Sequence, residues 1–235
     1  MRILLFDFLN AYPYQRILQE ASISYTLLSH PYEVVEAWQK SSWDAALLPF
    51  AIVANQRKTL TKWGIGSKGK IQSVILLSQI HPSEWEYIST DGRSFSSLAL
   101  LRWCMKKKGL APLPILTTPT THNRGAHLFI GDEALRRHKE GGYILDIGEL
   151  VRQICERPVI FAIWWAKRQD FSTYLRRLWR RMMSHNKSTW VEEAAYRYGF
   201  SPKEIREYWS RILYALPSGA VHFWKRAYTE IANSY

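Results

Sequence analysis

Asn10, Ser78, Ser96 and Ser97 are the side chains whose types and placement could do chemistry. Asn10 stands in Asp7-Phe8-Leu9-Asn10-Ala11-Tyr12-Pro13, just after an apolar run and just before a proline suited to the first turn of a helix. A carboxamide held at such a turn can donate and accept hydrogen bonds into a cleft. Further on, Asp91-Gly92-Arg93-Ser94-Phe95-Ser96-Ser97 leads into a helix, where open backbone N–H groups, clustered hydroxyls and the helix dipole suit a carboxylate. Ser78 closes the run Val74-Ile75-Leu76-Leu77 and would face a hinge. Such groups bind and polarise an anion. Each has a plain alternative: Asn10 as a turn residue, Ser94 as a simple N-cap, Ser78 as a solvated hydroxyl. Asp132, in Ile130-Gly131-Asp132-Glu133, reads as a structural cap, because an anionic ligand would avoid its charge.

Other chemistries find no footing. Gly64-Ile65-Gly66-Ser67-Lys68-Gly69 satisfies the dinucleotide-binding spacing but precedes a strand instead of following one, so it reads as a flexible turn. The seven histidines (30, 81, 122, 127, 138, 185, 222) form no HExxH and no metal spacing with cysteine, and no GxSxG elbow is present. Hydrolytic or metal chemistry therefore has no support in the sequence. Cys104 and Cys155 are isolated, which suits a reduced compartment. Residues 193–202 look locally like a helix-turn-helix, and residues 164–235 hold thirteen Lys+Arg against six Asp+Glu. The would-be recognition helix alternates Lys203 and Arg206 with Glu204 and Glu207, however, so nucleic acid is an unfavoured partner.

The elements that must hold these residues follow from apolar patterning. Short apolar runs at about 2–7, 23–28, 44–48, 71–77, 86–89, 114–117, 126–130, 143–147 and 158–164 read as strands. Helical periodicity lies between several of them, at 12–20, 32–40, 94–108, 132–139 and 147–155, predicting α/β layers with largely parallel sheets. After Trp165 the chain reads as helix only. Phe171, Tyr174, Leu175, Leu178 and Met182 share one stripe with Arg176, Arg177, Arg180 and Arg181 off it, and Ser201-Pro202-Lys203-Glu204 carries every mark of a helix start. The strands at 74–77 and 158–164 would cross between two lobes. Residues 1–76 then begin the first lobe, 77–163 form the second and 164–235 complete the first with helices, leaving a ligand cleft between them.

With 235 residues and 47% hydrophobic content the chain can bury a substantial core, which excludes intrinsic disorder. A formal charge of +12 points to an acidic partner, and a basic cleft is the expected place for it. Asp7 interrupts the first apolar run too early for a signal-peptide core, and no window has the length of a membrane span. A cytoplasmic protein without membrane contact is expected; oligomeric state is not legible.

Taken in order, Leu9-Asn10-Ala11-x-Pro13, Trp43-Asp44-Ala45-Ala46-Leu47-Leu48-Pro49, Ser73 to Ser78, Ser94 to Leu101, Ile130 to Leu135, Asp146-Ile147-Gly148-Glu149 and Pro158 to Trp164 resemble the chorismate dehydratase family of the futalosine route to menaquinone. The resemblance spans about residues 1–168 and rests on the ordered set. It implies a type 2 periplasmic-binding-protein-like fold, two α/β lobes closing on a ligand, and a cofactor-free hydro-lyase. That lyase would convert chorismate, a dicarboxylate, to 3-[(1-carboxyvinyl)oxy]benzoate. Carried over by position, Asn10 would work at the ring, while Ser78, Ser96 and Ser97 would hold carboxylates or the hydroxyl. Three positions depart from the family pattern: Phe95 where arginine or a small or polar residue is common, Phe50 where serine is frequent, and Val151 for a usual tryptophan. The other readings are a non-catalytic binding protein for a small carboxylate, or a related enzyme of the same pathway.

Overall fold

Strand β1 (Ile3–Phe6) enters a buried apolar layer and is followed by α1 (Tyr12–Glu20), with Pro13 in its first turn as its sequence predicts. The chain continues through β2 (Thr26–Leu28), α2 (Pro31–Lys40), β3 (Ala45–Pro49), the one-turn α3 (Phe50–Val53) and β4 (Leu60–Ser67). Next come β5 (Val74–Ser78), β6 (Tyr87–Ser89), α4 (Phe95–Lys107), β7 (Ile115–Leu116), β8 (Gly125–Ile130), α5 (Gly131–Arg137), β9 (Tyr143–Asp146) and α6 (Ile147–Ile154). It ends with β10 (Val159–Ala166), α7 (Phe171–Met183), α8 (Ser188–Tyr198), α9 (Pro202–Arg211), β11 (Ile212–Ala215) and α10 (Ser218–Ala232). The computed structural model describes residues 1–56, 60–92, 94–117, 124–168, 170–183 and 188–232, without the side chains of residues 181–183 and 232. Arg93, His122, His185 and the side chains of Arg181 and Met182 thus lie outside the described residues.

The strands form two sheets, in the orders β11-β4-β10-β3-β1-β2 and β7-β6-β8-β5-β9. Both are mixed, which corrects the expectation of largely parallel sheets. β1 runs parallel to β2 and β3, but β10 pairs antiparallel with β3 and β4. In the second sheet β6 runs parallel to β7 and β8, and β5 pairs antiparallel with β8 and β9. β5 belongs wholly to the second sheet and β10 wholly to the first, so neither strand crosses. The chain passes between the sheets just before each strand, over residues 68–73 and 147–158. Asp146 fastens both passages: it accepts from the amides of Ile71 and Gln72 and caps α6 by accepting from Glu149 N.

Two further corrections concern the first sheet. The glycine-rich segment is mostly strand, since Gly64 to Ser67 end β4 between β10 and β11, and only Lys68 and Gly69 lie in the bend that follows. Gly64 and Gly66 are there because a Cβ at either would collide with a backbone carbonyl of β10, Ala162 O or Val159 O. Nor is the chain after Trp165 purely helical, since β11 pairs with the edge of β4. The C-terminal helices cover this sheet. Phe171, Leu175 and Leu178 of α7 are buried as the stripe predicts, while Tyr174 is 37% exposed. Tyr14 anchors the layer, donating to Gly64 O at 2.9 Å and packing against Trp164, Trp179 and Tyr214.

Candidate active site

A small cavity, in part open to solvent, lies between the lobes of the two sheets. Phe6, Phe8, Ile65 and Phe161 come from the first lobe; Val74, Ile130 and Gly131 come from the second. Asn10, Ser73, Ser94, Ser96 and Ser97 supply its polar groups. Among the described residues no Asp, Glu, His, Lys or Arg lines it, so where a basic cleft is expected the described lining is apolar with hydroxyls and one carboxamide.

Asn10 is held by its backbone. The phenol of Tyr214 donates to Asn10 O at 3.1 Å and the indole of Trp209 donates to Leu9 O at 3.0 Å. From the opposite lobe, Asp132 Oδ1 accepts from Leu9 N at 2.9 Å. The side-chain oxygen of Asn10 is itself buried with no hydrogen-bond partner. Helices α9 and the strand after it therefore do more than cover a sheet: they fix the turn that carries the carboxamide.

Ser96 and Ser97 meet Asn10 in this cavity, at the first turn of α4. That turn's N–H groups have no partner within the helix. Ser96 Oγ accepts from Ala51 N at 3.2 Å, leaving its own proton to donate, and Tyr228 donates to Ser96 O. Ser94 precedes the helix but does not cap it; its hydroxyl reaches toward Asp91 instead. Ser78 is not at the cleft. It lies at the far end of β5, roughly 13 Å along the strand from Val74, where its hydroxyl donates to Gly125 O and accepts from Ile80 N. Ser73, at the near end, occupies the place expected of Ser78. The polarity of the strand was legible, but which end faces the other lobe depends on where the chain crosses, and the crossing precedes β5.

Of the three departures from the family pattern only Phe95 reaches the cavity, stacked on Tyr32 with centroids 5.9 Å apart. Phe50 packs inward on Tyr228, and Val151 is core. Residues 193–202 form two helices joined at Gly199, with the capping box of Ser201 and Glu204 present. α9 is committed to the body of the protein: Ile205 and Tyr208 are buried, Trp209 bonds Leu9, and Glu204 pairs with Lys139. Among the described residues no group of three or more His, Cys, Asp or Glu could hold a metal ion, and no helix is long and apolar enough to cross a membrane.

Asp132 does not cap its own helix, as its position suggests, but reaches across to Leu9 because Gly131, at φ +65°, turns the chain sharply toward Phe8. Burial pushes its carboxyl up to about 6, against the opposing pull of the Leu9 N–H. A carboxyl whose folded pKa lies above the unfolded value binds its proton more tightly in the folded state. The folded protein then loses stability as pH rises from about 4 to about 6 and no more above that. Asp132→Asn keeps an acceptor for Leu9 and removes the titration. Melting temperatures from pH 4 to 7 should show the variant gaining on the wild type across this window; a constant difference would place the ionisation elsewhere.

A family model described as "Menaquinone biosynthesis" (VitK2_biosynth) matches residues 1–228. No curated protein matches the chain significantly. Among solved structures, protein AF1704 from Archaeoglobus fulgidus superposes with a TM-score of 0.67 at 12% identity, covering 99% of this chain and 96% of its own. The periplasmic aliphatic sulphonate binding protein SsuA from Escherichia coli gives 0.66 at 14% identity, over 100% and 87%. A Candida albicans gene product, CA3427, with the generic periplasmic binding protein fold gives 0.66 at 8%, over 100% and 90%. At these identities the likeness is one of fold, and the fold is that of periplasmic binding proteins.

Proposed function

Because the chain belongs to the menaquinone-biosynthesis family, we propose that it is a chorismate dehydratase, removing water from chorismate to give 3-[(1-carboxyvinyl)oxy]benzoate. The reading is carried by one juxtaposition: a buried carboxamide oxygen without a partner, on Asn10, in the same cavity as the α4 start with Ser96 and Ser97. In this reaction a ring C–H and the ring C–O bond to the hydroxyl break, one ring double bond forms, and proton and hydroxide leave as water. Aromaticity drives the step. The protein has to orient the ring and stabilise charge on the departing oxygen.

In this scheme Ser96, Ser97 and the amides of the α4 start hold a carboxylate, and the apolar wall of Phe8, Phe95 and Phe161 takes the ring. Asn10 donates to the leaving hydroxyl. Since no described side chain lining the cavity is a carboxylate or imidazole, the ring proton goes to the substrate's own carboxylate. Ser78 has no part.

Incubating the protein with chorismate and following the aromatic enol ether by chromatography tests the reading. Complete conversion is expected. Binding without conversion would instead favour a non-catalytic carboxylate-binding protein, and neither binding nor conversion would remove chorismate altogether. In a Ser96→Ala, Ser97→Ala double variant we expect KM to rise on the order of 10–100-fold, as for lost hydrogen bonds to a charged group; an unchanged KM would place the carboxylate elsewhere.

A further inference from the structure

Tyr208, on α9, is 3% exposed, and its hydroxyl lies against the side chains of Ser73 and Asn10. No aligned hydrogen bond reaches it. Its oxygen and Asn10 Oδ1 are both buried and both without a partner. Native proteins rarely leave one such atom unpaired, and each instance calls for a cause. Here the two residues are neighbours: Asn10 lowers the phenol's pKa, as an amide NH₂ turned toward the phenol oxygen does, so a half-turn of the carboxamide would bring its oxygen, an acceptor, to the phenol, a donor. Burial, aided by Asp132 and Asp146 and opposed by Ser73 and Asn10, pushes the phenol's pKa up, so it keeps its proton and serves as a donor. The backbone around the pair is fixed by the bonds of Trp209 and Tyr214 to Leu9 and Asn10, which leaves side-chain rotation as the free variable.

We propose that Tyr208 is a positioning residue for Asn10: when a ligand occupies the cleft, the Tyr208 O–H bonds Asn10 Oδ1 and turns the carboxamide so that its NH₂ faces the ligand. The orphaned pair is then completed by binding, not by folding. The consequence for turnover rests on the chorismate dehydratase reading; the orientation of Asn10 does not.

Tyr208→Phe tests both. Because no aligned hydrogen bond reaches the hydroxyl in the unliganded protein, the variant should melt at or above the wild-type temperature. With chorismate its kcat should fall about tenfold while KM stays within twofold. The Asn10 side-chain amide resonance, assigned by its disappearance in Asn10→Ala, should shift in Tyr208→Phe relative to wild type when product is bound. A lowered melting temperature would make Tyr208 structural, and unchanged kcat with an unmoved Asn10 resonance would overturn the proposal. If wild type leaves chorismate unconverted, the dehydratase reading fails separately. The Asn10 resonance, recorded with and without 3-[(1-carboxyvinyl)oxy]benzoate, then decides the positioning role: a difference between variant and wild type that appears only with the ligand supports it, and spectra that are identical, or that differ equally without the ligand, reject it.

Discussion

Asn10→Ala should yield a folded protein whose kcat on chorismate is lower by on the order of 10²–10³-fold, the loss seen when a single donor to developing oxyanion charge is removed. The fold should be indifferent, because the carboxamide oxygen has no partner to lose and the turn is held through backbone atoms by Asp132, Trp209 and Tyr214. If the amide acts on the departing hydroxyl, kcat and kcat/KM should fall together; a rise in KM alone would mean that it binds substrate and transition state equally. Steady-state kinetics beside circular dichroism would separate these outcomes. Near-wild-type kcat/KM in the folded variant removes Asn10 from the mechanism.

Gly64→Val should abolish or nearly abolish folding. The new Cβ would press on Ala162 O and lie 2.9 Å from both Ile163 Cα and Leu216 Cδ1. Two of these contacts are backbone, so the strand cannot step aside as a side chain would. β4 is also the link between β10 and β11, and its Gly64 carbonyl receives the Tyr14 hydroxyl. A loss of 4 kcal/mol or more belongs to this class of overpacking and lost bonding. Urea denaturation of the variant should show no native baseline; a cooperative transition near the wild-type midpoint would mean that β10 yields.

The contrast between what sequence displays and what it hides is clearest at particular residues. Pro13 and the Ser201–Glu204 box are local devices, satisfied within one turn, and they stand where patterning puts them. Asn10, Ser96 and Ser97 share the cavity because each sits where an element begins at the cleft edge. Hidden were the properties that depend on a distant strand. Glycine in β4 looks like a turn until β10 is laid beside it. Asp132 looks like a cap until Leu9 arrives from 123 residues away. Tyr208 and Ser73 carry no motif at all, and only the packing of α9 over the first crossing brings them to Asn10. The short β11 follows α9 without a break, so helical periodicity swallows it.

The two lobes are stitched across the cleft: Leu9 N–H to Asp132, Ala51 N–H to Ser96, and the Phe8 ring against Gly131. Parting the lobes means breaking these contacts. A ligand that enters only when they part would bind in two stages, an opening followed by capture, at a rate set by how often the seam opens. The measured affinity is the intrinsic affinity multiplied by the fraction of time the seam is open. Substitution of Asp132, which removes the acceptor for Leu9 N–H, would then raise the open fraction and with it the on-rate, while loosening the turn that carries Asn10.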